Sequence, residues 1–402
     1  MSSVATLPAE RSIEGQQATA SLRSRIPELD GIRAIAIALV ISCHYQAFAG
    51  SFHGLPEFGW VGVEIFFVLS GYLITTNLLA LRGTSGAYKK FYLRRVRRIF
   101  PPYFLTVAAC ALFFFAFRRL DVRTILLHAA FLPSFVHTGE ILRQAAISLR
   151  HFNFPSLFQS APLETVTPGV EPHSMTNALC AMWSLSVEEW FYILWAPIVL
   201  LFGRAGIIFA TIPAFLIGFV LRWLNHAQGR FWYTEFFCRF DLLAMGALLA
   251  LWLYFRKDSS QLDAKRGDRI LWGLGLASFL ALVFLVNSIR PVMGREIRDS
   301  ALFAAFGTVL IGITVASGIA FLVLSGSEPR LLSRVLGSRV AVWVGRRSYM
   351  IYLAHIPWYW VVCAILGSAS YSGWTAAITA LVLTLVTAAL SWKYVEAPLL
   401  SR

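Results

Sequence analysis

Apolar residues occur along this chain in long runs that are separated by short polar loops. Ten runs are long enough to cross a bilayer as a helix of about 20 residues. They are predicted at about 31–50, 60–81, 101–117, 188–202, 206–224, 240–255, 270–288, 301–325, 348–367 and 374–392. The pattern therefore predicts an all-α, polytopic integral membrane bundle of about ten transmembrane helices.

The charges in the loops predict how this bundle is oriented. Loop 82–98 contains seven Lys or Arg and no acidic residue, and loops 256–269 and 326–347 are also basic, whereas loop 50–59 contains neither Lys nor Arg. Because basic loops stay in the cytoplasm, both termini are predicted to be cytoplasmic and the location to be the cell (inner) membrane. Three parts are expected: a disordered cytoplasmic tail at 1–25, a transmembrane domain at 26–397 and a cytoplasmic tail at 398–402.

The composition narrows the class of protein. Hydrophobic residues make up 57% of the sequence and charged residues 14%, which excludes a soluble globular domain. The net charge of +14 lies mainly in the short loops, so it indicates topology and not nucleic-acid binding. The five cysteines have no zinc-type spacing, and no metal site is predicted.

The first span carries two ionisable residues, Arg33 and His44. They are eleven residues apart, which is three helical turns plus roughly 20°, so they share one face about 16 Å apart along the axis. Ionisable side chains at such a depth face protein or water and commonly mark functional sites. The alternative is that His44 only binds a neighbouring helix as part of the packing.

A carboxylate in the second span is the predicted partner of His44. Glu64 lies about five residues below the outer end of its span, at a depth similar to that of His44. A carboxylate beside an imidazole fixes its tautomer and raises its basicity, as a general base requires. An ordinary ion pair between the two is the alternative. Arg239 and Asp241, at the start of the sixth span, are interpreted as an interfacial ion pair.

A basic segment precedes the third span, which Pro101 and Pro102 are expected to start. Such a cluster attracts phosphates, either of anionic lipid headgroups or of the nucleotide and diphosphate of coenzyme A. Its arginines are Arg94, Arg95, Arg97 and Arg98.

The fourth span is predicted to begin at the outer surface with two carboxylates. Ser186 and Glu189 have the spacing of a helix-capping box, which would explain Glu189 structurally. Trp183, Glu188 and Glu189 could instead bind an acceptor sugar, because aromatic faces and carboxylates suit sugar rings and hydroxyls.

The ninth span has a polar stripe that begins next to Tyr349. Ser348, Tyr352 and His355 follow the i, i+4, i+7 spacing of one helical face. These side chains could line a polar cavity, or they could form hydrogen bonds between helices.

Five blocks in order resemble the acyltransferase 3 family of membrane-bound acyltransferases. They are Arg33 with His44, GVEIFFVLSG at 62–71, the basic segment at 94–103, WSLSVEE at 183–189 and SYMIYLAH at 348–355. The resemblance implies that His44 is the catalytic histidine, that Arg33 is its required partner and that the arginine segment binds acyl-CoA. Glu64 stands where this family commonly has aspartate, and Trp190 stands where a glutamine is usual.

The resemblance implies a stand-alone enzyme without an esterase-like domain. It would move an acyl group, most commonly acetyl, from cytoplasmic acyl-CoA to a hydroxyl of a cell-surface or secreted carbohydrate. Acyl-CoA would be a co-substrate with no bound cofactor, and membrane lipids would surround the protein. His44 could act as a general base or accept the acyl group itself. A transporter or flippase of a glycan or lipid-linked intermediate is the alternative function.

Overall fold

The computed structural model describes residues 26–49, 58–139, 142, 175–224, 231–256, 260–293, 300–325, 331–366 and 373–400, which contain helices and no strand. The α-helices α1 to α15 are Pro27–Ala49, Val61–Leu81, Ala87–Ala116, Val122–Ala129, Met175–Ala178, Trp183–Pro197, Gly203–Leu224, Phe231–Thr234, Phe240–Arg256, Gln261–Met293, Thr308–Ser325, Leu331–Leu336, Arg339–Leu366, Gly373–Ser391 and Ala397–Leu400. Shorter turns join them, with 3-10 geometry at Pro133–Phe135, Cys180–Met182 and Phe236–Cys238 and π geometry at Ile198–Phe202, Phe303–Gly307 and Trp392–Glu396.

The all-α polytopic membrane fold is confirmed. Seven helical segments of the described chain are long and apolar enough to cross a membrane. One of them, Cys180–Leu224, contains both α6 and α7. These two helices are separated at Gly203, where φ is +55°. The count of about ten spans and the cytoplasmic position of both termini stay predictions.

The start of the third long helix differs from the prediction. Helix α3 begins at Ala87 and contains Pro101 and Pro102 in its interior, so the basic segment and the apolar span form one helix. Each proline removes one backbone donor, yet the helix continues, and one turn later the Thr106 hydroxyl donates to the carbonyl of Pro102 at 2.8 Å. As a result, the arginines lie on the same helix as the apolar span that follows them.

Two glycines let helices α2 and α9 cross at close range. A Cβ atom on Gly71 would lie 1.9 Å from the carbonyl oxygen of Leu243, and one on Gly246 would lie 2.0 Å from that of Val68. Such small-residue contacts allow membrane helices to pack backbone against backbone. Gly71 and Gly246 therefore serve helix packing.

We expect Gly71→Ala to destabilise the bundle, because its new methyl group meets backbone that cannot rotate away. Overpacking of this kind costs about 1–3 kcal/mol, so the unfolding temperature of the purified protein in detergent should fall. Gly318→Ala is the matched control, since a Cβ at Gly318 meets no atom within 4 Å. If both variants unfold at the temperature of the unsubstituted protein, the α2–α9 contact is not as close as described.

Helix α1 packs between α2 and α13, and glycines set the register of both contacts. A Cβ on Gly59 would lie 2.7 Å from Cβ of Cys43, and one on Gly62 would lie 2.3 Å from the carbonyl oxygen of Ala36. On the other side, a Cβ on Gly345 would lie 1.8 Å from the carbonyl oxygen of Asp30. This register determines which side chains of α2 and α13 can reach those of α1.

Candidate functional site

Two histidines meet between helices α1 and α13. The Nδ1 atom of half-buried His44 lies 3.1 Å from Nε2 of His355, and the ring centroids are 5.1 Å apart. His355 is fully buried, and its Nδ1 lies 2.7 Å from the carbonyl oxygen of Tyr352. The sequence placed His355 in a polar stripe but did not identify it as the partner of His44.

The predicted pairing of Glu64 with His44 is wrong. Glu64 instead forms an ion pair with Arg239 of the loop before α9, and both side chains are at most 1% exposed. The register of α1 and α2 explains the difference: Gly62 lies against Ala36, so Glu64 is several residues deeper in the bundle than His44. Eight residues from Ala36 to His44 correspond to about 12 Å along a helix.

The Arg239 and Asp241 prediction is also corrected, because these residues do not pair with each other at an interface. Asp241 binds Arg222 of α7 at 2.6 Å, and both side chains are buried. The Arg239 guanidinium lies over the ring of Tyr233, 4.5 Å from its centroid. Two buried ion pairs thus join α2, α7 and α9 in the membrane domain.

A cavity of about 1060 Å³ occupies the middle of the bundle. One end is lined by the start of α1, by the basic segment of α3 and by the first half of α13. Its arginines include Arg33, Arg95, Arg98 and Arg346. Arg33 lies on the first turns of α1, where its Nη1 binds Asp30 at 3.2 Å. The cavity therefore brings Arg33 together with two of the four arginines predicted to bind acyl-CoA.

The other two predicted arginines lie outside this cavity. Arg94 is exposed and Arg97 is half-buried, and neither side chain lines the cavity. Arg95 is held in place by aromatic rings, with its guanidinium carbon 5.1 Å from the ring centroid of Tyr192.

The carboxylates of the fourth predicted span lie inside the bundle and not at its outer surface. Helix α6 begins at Trp183, and Glu188 accepts hydrogen bonds from Ser70, at 2.5 Å, and from Tyr192. Glu188 and Glu189 both line the cavity that contains Arg33. The outer position predicted for them is therefore wrong, because the helix starts earlier in the chain.

The predicted capping box is absent from the described α6. Its first turn has no side-chain cap, and the Ser186 hydroxyl donates to the carbonyl of Phe131 at 2.5 Å. Trp190 donates to the same carbonyl at 2.8 Å. Trp183 packs on Phe67, with ring centroids 6.0 Å apart. These contacts give Ser186, Trp190 and Trp183 structural roles.

The polar stripe of α13 runs along the cavity from the arginine end, where the Tyr349 hydroxyl donates to the carbonyl of Ile99 at 3.1 Å, to Tyr352 at the other end. Ser348, Tyr349 and Tyr352 face the cavity, and the Tyr352 hydroxyl donates to the carbonyl of Ala181 at 2.8 Å. Among the residues that the structure describes, the lining at this end includes Val63, Phe66 and Tyr352, and the ring centroids of Phe66 and Tyr352 are 6.3 Å apart; neither His44 nor His355 lines the cavity. The ring of His355 follows one turn later on α13, and its centroid is 5.5 Å from that of the Tyr352 ring.

This arrangement can bind an anion at one end and move a proton at the other. Arginine side chains recognise phosphate groups, and a neutral imidazole accepts a proton near neutral pH. In the described residues, no group of three or more His, Cys, Asp or Glu side chains could hold a metal ion.

The family model of an acyltransferase domain, Acyl_transf_3, matches residues 26–393, which is nearly the whole chain. The chain belongs to the acyltransferase 3 family. Membership agrees with the resemblance found in the sequence and identifies residues 26–393 as an acyltransferase domain. No solved structure matches the chain significantly.

Several relatives of this acyltransferase carry names that state an activity. It is 26% identical to the peptidoglycan O-acetyltransferase OatA of Listeria monocytogenes over 94% of the chain and 56% of OatA. It is 29% identical to the putative peptidoglycan O-acetyltransferase YrhL of Bacillus subtilis over 93% of the chain and 55% of YrhL. A putative O-acetyltransferase of Staphylococcus aureus is 26% identical over 93% of the chain. The chain thus spans about half the length of these relatives.

Proposed function

We propose that this acyltransferase moves an acetyl group from acetyl-CoA to a hydroxyl of a cell-envelope glycan on the other side of the inner membrane. The observation that carries the proposal is the central cavity, which has arginines at one end and leads toward the His355–His44 pair at the other. A transporter also uses ionisable residues inside the membrane, so the histidine alone does not separate the two functions, and membership of an acyltransferase family favours the enzyme.

The arginine end of the cavity suits the phosphates of coenzyme A. Arg33, Arg95 and Arg98 face the same space, where a bound polyanion would offset their mutual repulsion. The pantetheine arm would extend between α2, α6 and α13 toward Tyr352. Because the described lining includes Phe66 and Tyr352 but not His44, we propose that these two rings move apart on binding and let the thioester reach His44.

In the proposed reaction, the acetyl group passes directly from the thioester to the sugar hydroxyl at His44. The Nε2 atom of His44 takes the proton of the sugar hydroxyl while the oxygen attacks the thioester carbonyl. The new ester C–O bond forms, the C–S bond breaks, and the proton passes to the departing thiolate to give coenzyme A. Neither an oxidant nor a metal is needed for this balance.

The acceptor is proposed from the names of the relatives. OatA and YrhL are named for peptidoglycan O-acetylation, and they match this chain over nearly its whole length. A peptidoglycan or related envelope glycan is therefore the first substrate class to test.

The direct test uses the protein reconstituted in one orientation in vesicles, with radiolabelled acetyl-CoA outside and soluble peptidoglycan fragments inside. The expected result is release of coenzyme A outside and alkali-labile labelled ester inside. Movement of glycan fragments across the vesicle without acetylation would support a transporter and contradict the proposal. Label that stays on the protein after the acceptor is withdrawn would favour an acyl-histidine over direct transfer.

The arginines of α3 provide a prediction with an internal control. We expect Arg98→Gln to raise the KM for acetyl-CoA about tenfold or more, because it removes a guanidinium that faces the cavity. Arg94→Gln is the matched control, since Arg94 lies exposed on the same helix and should leave the KM unchanged. Equal effects of the two variants would show that the segment acts through its general charge and not through the cavity.

A further inference from the structure

Both ring nitrogens of His355 lie within hydrogen-bonding distance of a partner. Its Nδ1 lies 2.7 Å from the carbonyl oxygen of Tyr352, and its Nε2 lies 3.1 Å from Nδ1 of His44. A carbonyl oxygen can only accept, so Nδ1 of His355 carries a proton. In the neutral ring, Nε2 of His355 is then an acceptor, and the proton between the two rings belongs to His44.

This assignment fixes the tautomer of His44. With its proton on Nδ1, the neutral imidazole of His44 has its lone pair on Nε2, on the opposite side of the ring from His355. A base or nucleophile needs that lone pair, and a ring with the proton on Nε2 could supply neither function in this orientation.

His355 is itself held firmly by its neighbours. The Tyr45 hydroxyl donates to the backbone carbonyl of His355 at 2.9 Å, and the imidazole of His355 is completely buried. The Tyr352 group that accepts from the ring of His355 is a backbone carbonyl of α13, so it stays in place when the Tyr352 side chain moves. A partner anchored in this way keeps one orientation of His44 through repeated turnovers.

We propose that His355 is the positioning residue of His44 and selects the tautomer whose Nε2 faces the substrates. The role that the sequence predicted for Glu64 thus falls to a second histidine, which acts through His44 without touching the reacting atoms. The inference rests on the proposed function, because it assumes that His44 does the chemistry.

Two substitutions separate this role from simple packing. His355→Gln keeps an acceptor oxygen near the position of Nε2, whereas His355→Leu fills the space without any acceptor. We expect kcat to fall about 10²-fold or more in His355→Leu, with the KM for acetyl-CoA unchanged, and to recover at least tenfold in His355→Gln. A purely structural role would give both variants the same kcat in the protein that remains folded.

The tautomer can be observed without any assay of activity. Solid-state ¹⁵N spectra of histidine-labelled protein in lipid contain signals from only eight histidines, and loss of a signal in His44→Gln assigns His44. We expect His44 to be protonated at Nδ1 in the unsubstituted protein and in His355→Gln, and to shift toward the Nε2-protonated form in His355→Leu.

The possible outcomes distinguish the two proposals. If His44→Gln remains fully active, the proposed function fails. If His44→Gln is inactive while His355→Leu keeps its kcat, or if the tautomer of His44 is the same in His355→Leu, only the positioning role of His355 is overturned.

Discussion

Replacing His44 by glutamine is expected to lower kcat for acetyl transfer by about 10²–10⁴-fold. Glutamine keeps a polar side chain of similar reach but cannot take up a proton near neutral pH, and a positioned general base contributes about 10²–10⁴-fold. The binding of coenzyme A should be almost unchanged, because the lining of the central cavity stops short of His44 in the described residues. Calorimetric titration with coenzyme A and acetyl transfer rates measure the two effects separately.

His128 is the matched control for that experiment. Its ring is also buried, with Nδ1 2.8 Å from the carbonyl oxygen of Thr124 and Nε2 3.4 Å from that of Leu179, and it can donate to one of the two. We expect His128→Gln to lower the unfolding temperature while the protein that remains folded keeps its kcat. Equal losses of kcat in the His44 and His128 variants would mean that His44 supports the fold and not the reaction.

Removing the charge of Glu64 is expected to destabilise the fold and not to act on His44. Glu64→Ala leaves the fully buried guanidinium of Arg239 without its counter-ion, and breaking one side of such a pair costs about 3–5 kcal/mol. The unfolding temperature in detergent should therefore fall sharply. The double variant Glu64→Leu/Arg239→Met removes both charges and should recover most of the lost stability.

The kinetics of the Glu64 variants test the correction to the sequence-based assignment. Because Glu64 binds Arg239 and lies deeper than His44, the double variant should transfer acetyl groups at nearly the unsubstituted rate. A double variant that is stable yet loses kcat as severely as His44→Gln would restore Glu64 as the orienting carboxylate and contradict the ion pair with Arg239.

The sequence predicted the type of fold and the residues of the site better than their partners. Long apolar runs have one stable outcome in a bilayer, since helices satisfy their own backbone hydrogen bonds. Arg33, His44 and His355 stood out because ionisable groups are rare in such runs. These features are local, and a single sequence is enough to show them.

Which residues pair across helices depends on register, which the sequence did not reveal. Glu64 and His44 were matched by counting from the outer ends of their spans, but the glycine contacts of α1 with α2 shift Glu64 inward. The early start of α6 likewise moved Glu188 from the expected surface into the cavity. Gly59 and Gly62 set the register of α2 against α1. They are the local sequence feature from which the inward position of Glu64 could have been predicted.

The central claim is that the acyl donor approaches His44 through the cavity between the arginines and Tyr352. A cryo-electron microscopy structure of the protein in a lipid nanodisc with a non-hydrolysable acetyl-CoA analogue tests it most directly. We predict phosphate density at Arg95 and Arg98, a pantetheine arm along α13, and the acyl carbon next to Nε2 of His44 with the rings of Phe66 and Tyr352 moved apart. An analogue bound elsewhere, or an acyl group held on the arginine side of an unmoved Tyr352, would contradict the account.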